Sequence, residues 1–360
     1  MSASKYAKIT TSADDGDGMD IEPGQFVSCK TVKYVVDEKI GQGGYGAVYR
    51  VHADPSDGKE YAMKVEQKLE RREHSKLNME MHILKLMASQ PVENSHFTKI
   101  IDRAKKDNFF LIVMTLVGES LADLKRERSP PVFSIRTGFG VAIQCLECIQ
   151  ELHKVGFIHR DIKPGNFAIG LPPKTHVIYI LDFGIARKFT NENNVVKGPR
   201  CQVPFKGTVR YAALNCHRGK ELGPKDDCES WLYMMVDCCN EHGLPWRQEK
   251  EKKKVELRKE EARSANGKQR LFKPMGVEDM GAMMDYIDKL EYQDKVDYDF
   301  LYGRIRKAAA AAKVNLDAPF DWEEDGTATE DRTSSGTSSG QTVPPRIKPK
   351  SKSKRKRSKS

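Results

Sequence analysis

Short β-branched and aromatic runs dominate the first third of the chain, and stretches with apolar residues every three or four positions dominate the rest. Tyr34-Val35-Val36 leads through Ile40 into Gly41-Gln42-Gly43-Gly44-Tyr45-Gly46-Ala47-Val48, and Val48–Val51 continues as a second strand. Asp57-Gly58 supplies a hairpin turn before a third strand, Tyr61-Ala62-Met63-Lys64-Val65. Leu77, Ile83, Leu84, Leu86 and Met87 recur at helical spacing and predict a helix over Gln67–Ala88. Phe97–Ile101 and Asn108–Met114 read as two more strands, the second running into Thr115-Leu116-Val117-Gly118. Beyond that point the period changes. Ser134–Lys154 predicts a long helix, His176–Leu181 a strand, and Lys225-Asp226-Asp227 the start of a hydrophobic helix through Trp231, Leu232, Met235 and Val236. Asp227 at that start reads as a helix cap. Lys250–Arg263 alternates in charge sign and reads as a solvated helix. Met280–Tyr302 resumes the apolar period, and Pro319-Phe320-Asp321-Trp322 is the last stretch expected to anchor. The pattern as a whole is α+β, a small sheet with one helix followed by a larger, mainly helical part.

Both ends break this pattern. Residues 1–30 form an acidic leader carrying Asp14, Asp15, Asp17, Asp20 and Glu22, too polar to offset its ordering entropy, so order is expected from about Val32. Residues 325–360 pass from Ser/Thr/Gly-rich to Lys/Arg-rich sequence and read as a disordered tail. Nine cations between Arg346 and Lys359 account for most of the formal net charge of +10, which leaves the body nearly neutral. That run reads as a targeting or docking segment for an import receptor, nucleic acid or anionic membrane, or as a solvated end. No aromatic residue interleaves it, so stacking on bases has no support.

The rest of the composition excludes several classes. A chain of 360 residues, 38% apolar, can bury one large core or two joined lobes. Its longest apolar stretch runs from Phe109 to Val117 through Thr115, short of the roughly 20 residues that cross a bilayer, so no transmembrane segment is expected. No apolar signal region occupies the N-terminus, and the cysteines fall in helical patterns, which points to free thiols and to cytoplasm and/or nucleus. Cys145-x-x-Cys148 has half a zinc-ribbon spacing without a second pair and reads as helix core.

Candidate chemistry concentrates in His159-Arg160-Asp161-Ile162-Lys163-Pro164-Gly165-Asn166, a loop between a helical run and a strand. Asp161 can accept a hydroxyl proton, Lys163 can neutralise a migrating phosphoryl group, and the Asn166 oxygen can hold a magnesium ion. Sixteen residues after Asn166 comes Asp182-Phe183-Gly184, where an aspartate leaving a strand can hold a metal bridging phosphates. The G-x-G-x-x-G at Gly41, Gly43 and Gly46 marks a dinucleotide fold when a helix follows; here a strand follows, which makes it a nucleotide-covering hairpin. Glu80 on the apolar helix needs a partner, and Lys64 is the obvious one.

This set resembles the eukaryotic-type protein kinases, over roughly 290 residues. Lys163, two residues after Asp161, is similar to the serine/threonine pattern. Ala213-Leu214-Asn215 in place of A-P-E, Gly118-Glu119-Ser120-Leu121 and Leu244-Pro245-Trp246 resemble the casein kinase 1 group. HRDIKPGNFAIG, LDFGIARKFTNE and FKGTVRYAALNCHRGKELGPKDD, with the closing Leu290-Glu291-Tyr292, are most similar to the tau-tubulin kinases, in a divergent, nematode-type branch. The resemblance implies a bilobal fold over 31–324: an N-lobe with a small antiparallel sheet and one helix (31–114), a hinge (115–118) and a mainly helical C-lobe (119–324). It implies ATP bound by Ile40, Gly41, Gly43, Gly46, Val48, Ala62, Lys64, Met114 and Leu116, and Mg2+ held by Asp182 and Asn166. Asp161 becomes the base, Lys163 and Asn166 its loop partners, Lys64–Glu80 the phosphate-positioning pair, and Thr208 a support for Asp161. Arg210, with Lys253, Lys254 or Arg258, would form an anion pocket for acidic or primed segments. The partners implied are protein substrates with Ser/Thr acceptors, acidic or cytoskeletal, for a monomeric enzyme; the rival reading is a pseudokinase scaffold that binds through the fold and the basic tail. Activity without activation-loop phosphorylation is implied too, with Thr190 the one candidate phosphosite nearby.

Overall fold

The computed structural model describes residues 21–30, 32–43, 46–68, 75–90 and 95–323. The acidic residues 1–20 and the tail from 324 onward lie outside the described residues.

The first lobe is an antiparallel sheet of β1 (Phe26–Ser28), β2 (Lys33–Gly43), β3 (Gly46–Asp54), β4 (Glu60–Gln67), β5 (Ile100–Lys105) and β6 (Phe109–Thr115), in the order β1-β2-β3-β4-β6-β5. Side-chain alternation gives it two unlike faces. Tyr49, Val51, Met63, Val65 and Val113 are in phase and make one core, while Ala62, Ile112 and Met114 turn to the core shared with the helices. Lys64 lies between Met63 and Val65 and so shares the face of Ala62, toward helix α1 (Lys76–Ala88).

Three sequence expectations shift here. Residues 21–28 belong to the fold: Ile21 is buried and donates its N–H to Tyr49 Oη at 3.0 Å, and β1 pairs with β2 from Phe26↔Val35 to Ser28↔Lys33. A few apolar residues suffice for an edge strand, because the ladder supplies its hydrogen bonds. Helix α1 starts at Lys76, with Ser75 capping the Asn78 N–H, and residues 69–74 lie outside the described residues. The strand expected at Phe97–Ile101 forms three residues later, as β5.

The second lobe holds α2 (Leu121–Arg126), α3 (Ile135–Lys154), the short strands β7 (Phe157–Ile158), β8 (Phe167–Ile169), β9 (Ile178–Ile180) and β10 (Arg187–Lys188), then α4 (Leu214–His217), α5 (Pro224–Cys239), α6 (Lys252–Glu261), α7 (Ala265–Phe272), α8 (Val277–Lys289) and α9 (Tyr298–Ala311). Every residue of α5 is buried, and Trp231 ties it to α3 by donating to Ala142 O at 3.0 Å. Cys145 and Cys148 are core residues of α3, and all eight cysteines are free thiols. Helix α6 is not fully solvated as its charge pattern suggests: Val255, Glu256 and Lys259 are buried. No described helix is long and apolar enough to cross a membrane.

Candidate active site

Between the lobes lies a cleft of about 760 Å3. Ile40, Gly41, Gly46, Val48, Ala62, Met114 and Leu116 line it, as do Lys64, Glu80, Asn166 and Asp182. Gly43 pairs with Gly46 at the hairpin end, and Gly44 and Tyr45 lie outside the described residues.

Two strands and a helix meet at Lys64. Its ammonium sits 2.5 Å from Glu80 of α1 and 3.2 Å from Asp182 after β9. Glu80 is 4% exposed, so it is the buried, paired carboxylate that its place on the apolar face demands. Burial works against the charge on Lys64, yet Glu80 and Asp182 hold its pKa above the ordinary lysine range. Burial also works to raise Asp182, but the Lys64 ammonium beside it keeps the carboxyl down at about 2. Phe183 packs backward, stacked on Phe97 with ring centres 5.6 Å apart and edge-on to His159.

The loop after β7 is clamped from below. Asp227 of α5 accepts the N–H of His159 at 2.6 Å and that of Arg160 at 2.9 Å, and its Oδ2 lies 2.9 Å from His153 Nε2. It is therefore no helix cap; Asp226, accepting the Gly223 N–H at 2.8 Å, has that role. Arg160 and Asp182 both hold left-handed backbone, at φ 69° and 62°, the kind of strain that persists only where surroundings enforce it. Within the loop, Asp161 Oδ2 meets Lys163 Nζ at 2.6 Å, and Oδ1 accepts both the N–H and the hydroxyl of Thr208, at 2.9 and 2.8 Å. Asn166 donates its amide N–H to Asp161 O at 2.8 Å, which leaves its amide oxygen as a free donor atom toward a cation.

These groups suit a nucleotide triphosphate and a hard divalent cation. An apolar upper wall fits a base, a fixed ammonium fits phosphate, and the oxygens of Asp182 and Asn166 line the same cleft. The comparisons agree: the family described as "Protein kinase domain" matches residues 34–288. The chain belongs to the protein kinase family. Among its relatives, the Caenorhabditis elegans serine/threonine-protein kinase ZK507.1 is 33% identical over 290 residues, 79% of this chain and 85% of that one. The C. elegans serine/threonine-protein kinase spe-6 is 30% identical over 294 residues, 81% and 76% of the two chains. A Dictyostelium discoideum protein named for the same class is 31% identical over 311 residues, 85% of this chain and 58% of its own length.

Other parts of this kinase were only partly foreseen. Arg210 is exposed and donates to Arg247 O at 3.1 Å. Lys253, Lys254 and Arg258 each pair with a glutamate of their own helix or its start, at 3.0, 2.9 and 2.8 Å. Asn215, where A-P-E kinases have glutamate, donates its amide N–H to Asp226 at 3.0 Å, and Arg263 pairs with Glu229 of α5 and Asp288 of α8, at 2.9 and 2.8 Å. Glu221 went unnoticed: its side chain is 2% exposed, with Arg200 at 2.5 Å and Arg187 at 3.3 Å. Glu66, two residues after Lys64, also escaped sequence reading; it accepts the N–H groups of Lys76 and Leu77 at 3.0 and 2.6 Å and the Ser75 hydroxyl at 2.7 Å. Strand phase was the available signal, since a carboxylate on the face of Lys64 must find a partner. Thr190 is buried at 6% exposure.

Proposed function

We propose that this kinase transfers the γ-phosphoryl group of ATP to serine and threonine hydroxyls of proteins, and that within its family it sits with the casein kinase 1 group, near the tau-tubulin kinases. The observation that carries the activity is the Lys64 ammonium held between Glu80 and Asp182 at the base of the cleft. A scaffold that only bound partners would have no use for a charge so fixed. The Ser/Thr class is supported by Lys163 beside Asp161 and by the names of the relatives. Asp161, aligned by Thr208 and Asn166, takes the acceptor hydroxyl's proton; Lys163 offsets charge on the transferred group; Lys64 fixes the phosphates. Magnesium at Asp182 and Asn166 would neutralise charge on the phosphate oxygens. Glu221 already supplies an anion to Arg187 and Arg200, which supports activity without phosphorylation of the segment.

Phosphate transfer from ATP-magnesium to casein by phosphatase-treated protein tests this reading. Asp161→Asn should lower the rate about 10²–10⁴-fold, the usual worth of a positioned base. Binding of ATP by the wild type with no transfer to any acceptor would instead favour the scaffold. The exposed Arg210 beside Thr208 supports a preference for acidic or primed acceptors. Arg210→Ala should then raise KM for an acidic peptide several-fold and leave a neutral peptide unchanged; equal effects on both would remove the preference.

A further inference from the structure

Lys259 is the residue whose position departs furthest from its sequence context. It belongs to a run of alternating charge on α6, yet it is 0% exposed. No carboxylate pairs with it among the described residues. Glu229, whose charge acts on it, is committed to Arg263, to the Tyr233 hydroxyl and to the Leu214 N–H. An ammonium taken out of water without a counter-ion is costly, so what it touches must hold it there. Its Nζ donates to Val209 O at 2.9 Å and to Ala212 O at 2.5 Å, lies 3.1 Å from His217 Nε2, and sits over the rings of Tyr233 and Trp246. Burial draws its pKa down to about 7, and the neutral amine still has two N–H bonds, one for each carbonyl.

Trp246 completes the pattern by donating its indole N–H to Arg210 O at 2.7 Å. Three of the four carbonyls from Val209 to Ala212 are thus held by Lys259 and Trp246. One residue upstream, Thr208 is bonded to the Asp161 carboxylate. The segment is therefore fixed at one end to the catalytic loop and along its carbonyls to the helical lobe, with Arg210 exposed.

We propose that Lys259 is a positioning residue for the protein acceptor: it sets the Val209–Ala212 segment as the rest against which the acceptor backbone lies, so that its hydroxyl meets Asp161. This rests on the proposed kinase activity. Such a residue governs how well the acceptor is held and leaves the nucleotide cleft untouched.

The test is steady-state kinetics with a serine-containing acidic peptide, varied separately from ATP. Lys259→Met, which keeps the length and loses every N–H, should raise peptide KM about tenfold or more, with ATP KM within twofold. Lys259→Gln, which keeps two N–H donors on a shorter side chain, should fall between Met and wild type. Trp246→Phe should raise peptide KM by a few-fold. Unchanged peptide KM in these variants, or peptide and ATP KM rising together, overturns the proposal. Should Lys259→Met not fold, Lys259→Gln and Trp246→Phe decide in the same way. Amide hydrogen exchange gives a readout independent of turnover: faster exchange in Lys259→Gln confined to residues 205–213 is expected, and unchanged exchange there contradicts the role. A wild type that transfers no phosphate would defeat the kinase reading itself, which exchange data would still distinguish from failure of the Lys259 contact.

Discussion

A methyl group placed at Gly46 would lie 1.9 Å from Val65 O, whereas at Gly41 it would meet only the Val48 side chain at an ordinary 3.6 Å. Of these two glycines, the one that the hairpin cannot replace is therefore the one pressed against β4, the strand that carries Lys64. Its requirement comes from strand packing as much as from room for phosphates. Gly46→Ala should force β3 and β4 apart and destabilise the protein by about 1–3 kcal/mol, as overpacking does. It should also raise ATP KM, because Lys64 moves with its strand. Thermal unfolding and nucleotide titration of the variant would check both, and a variant with wild-type values would show that the ladder adapts at no cost. Gly207 is constrained by a different neighbour: at φ 98°, a side chain there would reach Arg160 O at 2.4 Å, beside Asp161.

Helix α1 carries Glu80, and what places the helix is Glu66 on β4. A carboxylate accepting two N–H groups at a helix N-terminus complements the positive end of the dipole, worth up to about 2 kcal/mol when partly buried. Glu66→Gln keeps one acceptor oxygen and removes the charge. It should lower kcat/KM about tenfold, the factor that 1.4 kcal/mol implies for the population with α1 in place, and speed exchange of the Lys76 and Leu77 amides. Wild-type kinetics in that variant would mean that packing of Leu77, Ile83 and Leu84 alone sets the helix. This element also marks where sequence reading stops. Lys64, Glu80, Asp161, Asn166 and Asp182 were legible because each sits at a fixed spacing from a glycine, a strand or a loop that repeats its own pattern. Asp227 was misread because neighbouring carboxylates at a helix start look alike in one dimension. About 100° of helical rotation separates them, so Asp226 folds back onto the Gly223 N–H while Asp227 reaches the catalytic loop. Glu66, Glu221 and Lys259 find partners 10, 21 and 50 residues away, distances that no local period encodes.

At the scale of the whole molecule, the end of the described chain closes the helical lobe. Asp321 accepts the Ser134 N–H at 2.8 Å, the Ser134 hydroxyl at 2.6 Å and the Thr137 hydroxyl at 2.8 Å, across 184 to 187 residues of sequence. Phe320 is buried beside it against α3, where a Cβ on Gly140 would come within 2.5 Å of the ring. Helix α3 runs from this clamp to His153, which contacts Asp227 beneath the catalytic loop, so a contact near the end of the described chain bears on the first turn of the helix that leads to Asp161. Burial works to raise the Asp321 carboxyl, but the bonds from Ser134 and Thr137 hold it below the ordinary value. A carboxyl depressed in the folded state contributes its stability above the unfolded value near 4 and loses it as pH falls through the folded one. Asp321→Ala should therefore cost about 2–3 kcal/mol at pH 7, by leaving the buried Thr137 hydroxyl and the part-buried N–H and hydroxyl of Ser134 without their charged acceptor. That is several degrees of Tm, at roughly 2–4 °C per kcal/mol for a domain of this size. The gap between wild type and variant should narrow below about pH 4, where the unfolded chain begins to take up the proton more readily than the folded one. A gap that stays constant from pH 7 to pH 3 would assign the loss to packing of the chain end and not to the carboxylate.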